Sequence, residues 1–420
     1  MDCVIIGGGV AGMQAALTFR RQWPEKSITL VDTEKEIGYY RTLLPQFMNR
    51  SMPESKLFFW RPQDDPHLHV ITGVSVESID RRNQELFLSD GAKLRYQRLL
   101  IASGGYPIVP PVCLSVHGKG IFPVRSLTAA RSARDWLNDH ADVVILGGGL
   151  VGVKTAAHLA GFNFSVTLIE REQQLLPQAL SREASQLVEN HLRSKKIRVL
   201  LGSTVEDISF KQESISAVRV DDQWIPCGTM LIAAGSLPEV KFLGDSGLLQ
   251  DGRLEVTGAL QTRDKKIYAA GDAITIVTNG SFTPWTWPQA IVQGKLAASN
   301  LYAPDASSLS CLSRVNTMNL GGLSLAVIGI PVAGAERRVH SSTDSGTHRE
   351  LFMVDGKIVG GALVGDISNA GRLHTMMNNA QIIASGFDNL LTPRFNSFSK
   401  TSQSCTTLKR RATVFQYRGV

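Results

Sequence analysis

Paired cysteines are what this sequence most conspicuously lacks. The five in 420 residues stand alone at Cys3, Cys113, Cys227, Cys311 and Cys405, so neither a CxxC metal knuckle nor a CxxxxC redox pair can be read. Isolated thiols point to a reducing, cytoplasmic setting. No apolar run approaches the ~18 residues of a membrane span. No basic, cleavable leader precedes the early apolar run Val4-Ile5-Ile6, so no signal peptide is expected. The nine histidines show no ligand spacing: His67 and His69 alternate as in an exposed strand, and His158 sits in a helical stretch. Neither a metal site nor a nucleic-acid module is expected. Charged residues make up only 19% against 43% hydrophobic, which excludes a disordered chain and indicates a folded α/β enzyme. The net charge of +7 suits an acidic partner. Several of the positive charges fall late (Lys400, Lys409, Arg410, Arg411, Arg418), which also suits a solubilising tail.

What the chain has in abundance is glycine, 38 in all, and its placement is repetitive. Residues 2–33 read as strand, glycine turn, helix, strand (DCVIIGGG, VAGMQAALTFRRQ, SITLVD). The same grammar returns at 141–171 (ADVVILGGG, LVGVKTAAHLAGF, FSVTLIER). After each unit comes an alternating stretch typical of a β-meander, then a strand ending in another glycine, at Gly104-Gly105 and at Gly235. From about 308 the texture changes to apolar strands around glycine turns, followed by the helix-like AGRLHTMMNNAQIIASG. The expected fold is α/β: two Rossmann-like, three-layer ββα dinucleotide-binding domains plus a small C-terminal α+β domain. The expected boundaries are 1–110 with 245–305 for the first domain, 111–244 for the second and 306–385 for the third, leaving 386–420 as a basic, flexible tail.

The first turn offers Gly7, Gly9 and Gly12 in G-x-G-x-x-G spacing between a strand and a helix. This pattern allows a tight turn, close backbone approach to a pyrophosphate, and close helix–strand packing. The helix N-terminus adds partial positive charge facing the phosphates. Asp32, ending the next strand, is spaced to accept hydrogen bonds from a ribose. Gly147, Gly149 and Gly152 repeat the pattern, and Glu170 takes the place of Asp32. A carboxylate there favours NADH over NADPH, whose 2′-phosphate would meet like charge, although the adjacent Arg171 keeps NADPH in play.

With both turns placed, residues 1–385 resemble the FAD-dependent pyridine nucleotide-disulfide oxidoreductases, and within them the NADH:rubredoxin reductase and nitrite-reductase-like branch that lacks the redox cysteines. The resemblance implies FAD in the first unit and NADH in the second. IYAAGDA at 267–273 looks like the family's second FAD signature, which implies that Gly271 lies against the pyrophosphate and Asp272 holds the ribityl chain. LLIASGGYPIVPP at 99–111 and LIAAGSLPE at 231–239 are similar to the family's interdomain crossings, bringing in Ala102, Gly104 and Gly235. GYYRTLLP resembles a segment beside the flavin and offers Arg41, while Val76 matches a backbone contact to adenine. Trp287-Pro288-Gln289-Ala290 looks like a stretch bordering the isoalloxazine. Where many relatives carry a glutamate after the second turn, this chain has Lys154, a candidate nicotinamide-side residue.

The segment GYYRTLLPQFMNRSMPE, where disulfide-reducing relatives place cysteine, has none. The resemblance therefore implies flavin-based chemistry without a catalytic side chain. A hydride passes from NADH to FAD, and electrons leave to an acidic electron-transfer protein of the rubredoxin or ferredoxin type. Two rival readings remain at this point: a type II NADH:quinone oxidoreductase at a membrane surface, and an FAD-holding relay subunit of a larger redox complex. By the same analogy the third domain would form homodimer contacts or shape the acceptor site.

Overall fold

The computed structural model describes residues 1–383 and 390, apart from 62–67, 115–117, 163, 278–280, 283–285, 305–307, 310–314, 330–333 and 343–345. Of the expected tail only Leu390 is among the described residues, and its side chain is buried; the isolated Cys311 and Cys405 lie outside them, as does His67.

Two five-stranded parallel sheets organise the chain. In the first, the order is Ile267–Ala269, Arg98–Ile101, Cys3–Ile6, Ile28–Asp32, His69–Thr72. Cys3–Ile6 is buried along its whole length, as a central parallel strand covered on both faces must be, which is why it reads as an unbroken apolar run. The helix Val10–Gln22 starts from the extended Gly9 and ends in Arg20 and Arg21, whose charge complements the negative end of the helix. It packs on helix Trp287–Asn300 so closely that a Cβ on Gly294 would lie 2.1 Å from the Ala11 carbonyl oxygen. Only glycine permits that approach.

The second sheet repeats the plan with Arg198–Leu201, Ser165–Glu170, Asp142–Leu146, Thr229–Ile232 and Ile121–Pro123. In each sheet successive crossovers leave the strand before the glycine turn in opposite directions, so the strand order reverses at Ile6 and at Leu146. Open parallel sheets bind ligands in the crevice at such switch points. Each sheet carries a three-stranded antiparallel meander, Val76–Asp80 with Glu85–Leu88 and Lys93–Arg95, and Asp207–Lys211 with Ser214–Val220 and Gln223–Pro226. The two crossing segments pair with each other as antiparallel strands, Gly105–Pro107 and Ser236–Pro238.

A third body is a five-stranded antiparallel sheet, in the order Val315–Asn319, Ser324–Gly329, Lys357–Val364, Thr347–Val354, Glu336–Ser342. Helix Ala370–Asn378 covers one face through Leu373, Met376 and Met377, while Leu325, Val327 and Val364 on the other face join the core of the second unit. That helix is shorter than its sequence suggests: Ala380 turns left-handed at φ 47°, and Ile382 bridges back to Lys357. The architecture is the expected α/β fold with two dinucleotide-type units and a small α+β body.

Candidate functional site

A cavity of about 790 Å³ opens at the first switch point. Its floor is the carboxyl ends of three parallel strands, with Ile6, Gly7, Asp32 and Ser103 among the lining residues. Gly7 adopts φ +103°, and a Cβ there would sit 2.2 Å from the Ala102 carbonyl oxygen. Gly12 is as tightly held: a Cβ there would fall 1.8 Å from the Gly7 oxygen. Gly9 differs: a Cβ there would meet nothing within 4 Å, so the fold does not need that glycine, while a ligand approaching the helix N-terminus would. The Asp32 carboxylate accepts from the Gly8 amide and, at 2.6 Å, from the Glu34 amide. Burial pushes its pKa above the usual range against the pull of those two donors. A carboxylate has lone pairs to spare beyond two donors, so it remains able to accept from a ribose.

The second glycine loop is built the same way. Gly147 has φ +106°, and a Cβ there would sit 2.4 Å from the Ala233 oxygen; a Cβ on Gly152 would fall 1.8 Å from the Gly147 oxygen, and Gly149 again faces open space. Glu170, 8% exposed, accepts from the Gly148 amide at 2.5 Å and the Glu172 amide at 2.9 Å. Arg171 points to solvent and pairs with Glu172 at 3.3 Å.

The other sequence candidates distribute as follows. Arg41 and Val76 line the cavity. Arg41 is held by Glu34 at 2.5 Å and by the Arg125 carbonyl at 2.7 Å. Ala102 is buried, with its amide on the Ile6 carbonyl, and Gly104 (φ +72°) accepts from the Glu239 amide at 2.9 Å. Gly235 (φ +104°) accepts from Ile108 in the facing crossing segment. Gly271 (φ +83°) donates its amide to Gln293 Oε1 at 2.8 Å. Gln293 is fully buried, and its Nε2 has no hydrogen-bond partner. Trp287 opens helix Trp287–Asn300 with Pro288 exposed beside it and Ala290 buried; its ring lies 5.7 Å from Tyr40 and 6.1 Å from Phe59. Lys154 lies apart from the cavity lining and donates to the Thr42 carbonyl at 2.6 Å.

Arg125 is the residue that sequence reading missed. It follows the edge strand of the second sheet yet lines the first unit's cavity, donating to the Gly105 carbonyl at 2.5 Å and pairing with Asp272 at 3.0 Å. It thus ties the first crossing segment to the Gly271-Asp272 turn from the other unit's sheet. Glu239, which ends the second crossing, and Lys241, just past it, line the same cavity and were also unforeseen as site residues.

Cys3, Cys113 and Cys227 are buried and free. Burial raises all three thiols, Cys113 to about 11 and Cys227 to about 12. Such thiols are inert at neutral pH. Among the described residues no group of histidine, cysteine and acidic side chains is placed to hold a metal, and no helix is long and apolar enough to cross a membrane.

Two glycine cradles at two switch points, each closed by a carboxylate and left open at the middle glycine, define a protein with two dinucleotide-binding units, and the residues present fit FAD in the first. Residues 1–294 match the family model described as pyridine nucleotide-disulphide oxidoreductase, and the chain belongs to that family. It is an FAD-dependent NAD(P)H oxidoreductase. It is 26% identical to "NADH oxidase" of Methanocaldococcus jannaschii over 90% of each chain, and 25% identical to "NADH-rubredoxin oxidoreductase" of Clostridium acetobutylicum over 92% of this chain and 96% of that one. In fold it superposes on the reductase in the covalent putidaredoxin reductase–putidaredoxin complex, with a TM-score of 0.83, 22% identity, and coverage of 90% of this chain and 93% of that chain.

Proposed function

We propose that the chain takes a hydride from NADH onto FAD and passes the electrons to a small acidic redox protein of the rubredoxin or ferredoxin type. The observation that carries this reading is the combination of two open glycine cradles with the lack of any reactive thiol beside them among the described residues. A disulfide or peroxide substrate would need such a thiol, whereas a flavin converts a two-electron donor into single-electron steps by itself.

In this reading Gly7, Gly9, Gly12 and the helix they open receive the FAD pyrophosphate, with Arg125 neutralising charge beside Asp272 and Gly271. Asp32 takes the ribose, Val76 borders the adenine, and Arg41, Ala102 and Gly104 shape the wall. Trp287, Pro288 and Ala290 border the flavin ring. Gly147, Gly149, Gly152 and Glu170 receive NADH, and Gly235 turns the chain back between the units. NADH is preferred because Glu170 puts negative charge where a 2′-phosphate would lie and Arg171 is already paired with Glu172. A homodimer using the third body, in the cytoplasm, completes the reading. The names of the relatives above and the net charge of +7 support an acidic protein acceptor.

The test is a titration of NADH-reduced enzyme with rubredoxin and with ferredoxin at low and high salt. Reoxidation that is fast at low salt and slows at high salt is expected. An enzyme indifferent to both proteins at both salt concentrations contradicts the acceptor assignment.

A further inference from the structure

Helix Leu150–Leu159, which leaves the second glycine loop, packs on helix Leu44–Met48 of the first unit. The seam is apolar where Leu44, Phe47 and Met48 share a core with Val153, Ala156 and Ala157, and the basic groups on helix Leu150–Leu159 add charge of one sign. Lys154, half-buried, is fixed by a single carbonyl, that of Thr42. One turn further, His158 receives the Asn49 amide on its main-chain oxygen, and its buried Nε2 has no hydrogen-bond partner. On the facing helix the buried Gln46 Oε1 is also without one. Burial lowers the pKa of Lys154, and no carboxylate acts against it. Burial, and then the Lys154 ammonium, lower that of His158. Two basic groups thus share an interface to which the described residues contribute no counter-charge. A partly buried cation without an anion keeps an unmet electrostatic cost, which negative charge arriving from a ligand relieves. Thr42 directly follows Arg41, which lines the cavity, and Tyr40, whose ring meets Trp287. The cation is therefore anchored to the segment assigned above to the flavin.

We propose that Lys154 sets the reduction potential of the bound flavin, its ammonium supplying the positive charge that the ring needs once hydride transfer has made it anionic. This rests on the FAD and NADH assignment above. The hydride carries two electrons and one proton from the dihydronicotinamide, which leaves as the oxidised cation, so the flavin gains one net negative charge. That charge disappears when two electrons leave singly to two acceptor molecules and the proton passes to solvent. A fixed cation favours the reduced state throughout, and fixing it on a carbonyl of the first unit holds it in place whether or not nucleotide is bound.

The experiment compares FAD-loaded wild type with K154M, K154Q and K154R by spectroelectrochemical titration of the flavin, with FAD content and thermal midpoint as controls. Glutamine keeps an amide donor, one bond shorter than the lysine, but carries no charge. Expected is a roughly tenfold less favourable reduction in both K154M and K154Q, about 30 mV for a two-electron couple, with K154R close to wild type. A K154Q potential equal to wild type overturns the proposal, whether or not K154M shifts, because hydrogen bonding alone would then account for the residue. Wild-type flavin that NADH fails to reduce overturns the underlying nucleotide assignment instead, so the two failures are distinguishable.

Discussion

Replacing Gly149 by alanine separates what the fold needs from what the nucleotide needs. The backbone at Gly149 is extended (φ −75°, ψ −174°), and an added Cβ meets no atom within 4 Å, so the methyl group enters without strain. Alanine is a poorer helix cap than glycine by about 0.5–1 kcal/mol. It also removes a similar amount of unfolded-chain entropy, about 0.4–1 kcal/mol. The net change in stability is close to zero, and the midpoint of unfolding moves by less than about 3 °C. The methyl group does occupy the space through which a pyrophosphate would approach the helix N-terminus. Loss of one charge-assisted hydrogen bond there costs about 1.5–3 kcal/mol, or about ten- to a hundredfold in NADH affinity. Saturation of the rate of flavin reduction in anaerobic stopped-flow gives the NADH dissociation constant, and absorbance gives FAD content, which should not change. Gly152→Ala is the contrasting control, since its Cβ would fall 1.8 Å from the Gly147 oxygen and should disrupt the second unit outright. A well-folded Gly149→Ala enzyme that binds NADH as tightly as wild type would refute the cradle argument.

Three further outcomes follow from the geometry. Arg125→Gln removes the pair with Asp272 and the bond to the Gly105 carbonyl, and should cost at least tenfold in FAD retention, about 1.4 kcal/mol, measured by fluorescence of released flavin; full retention would argue against a cofactor role. Cys113→Ala and Cys227→Ala, alone or together, should leave flavin reduction and turnover unchanged, and iodoacetamide at pH 7 should leave both residues unlabelled in the folded wild type, because burial holds these thiols at about 11 and 12. Glu183, pulled down to about 2 by its hydrogen bonds to Arg337, should help hold the third body against helix Arg182–Ser194. A depressed carboxyl stabilises the folded form above its unfolded pKa of about 4.3, and that contribution is lost as pH falls toward about 2. Amide protection factors in strand Thr347–Val354, taken against intrinsic exchange rates at each pH, should therefore fall across that window in wild type and change less in Arg337→Met.

The parts legible in the sequence were those whose physics is local. Gly7 to Gly12 with Asp32, and Gly147 to Gly152 with Glu170, are each packed into one strand–turn–helix–strand unit, so spacing alone conveys their geometry. Arg125 was not legible because Asp272 is far from it in sequence and both of its partners, Gly105 and Asp272, belong to the other unit. Nor was the way Tyr39, Leu44, Phe47 and Leu57 of the first unit join the core of the second, since an apolar residue does not announce which core it enters. The run His348-Arg349-Glu350 carries three polar side chains into a strand read as apolar, and each is at most 2% exposed. Glu350 accepts from Arg337 at 2.8 Å and Arg349 pairs with Asp366 at 2.8 Å, partners that only the folded sheet supplies.

The most direct test of the account is anaerobic stopped-flow of the purified yellow protein against NADH and NADPH, following flavin absorbance. Bleaching by NADH much faster than by NADPH, in a form that rubredoxin or ferredoxin reoxidises, is the predicted result. A flavin that neither nucleotide reduces, in protein that retains its FAD, would contradict it.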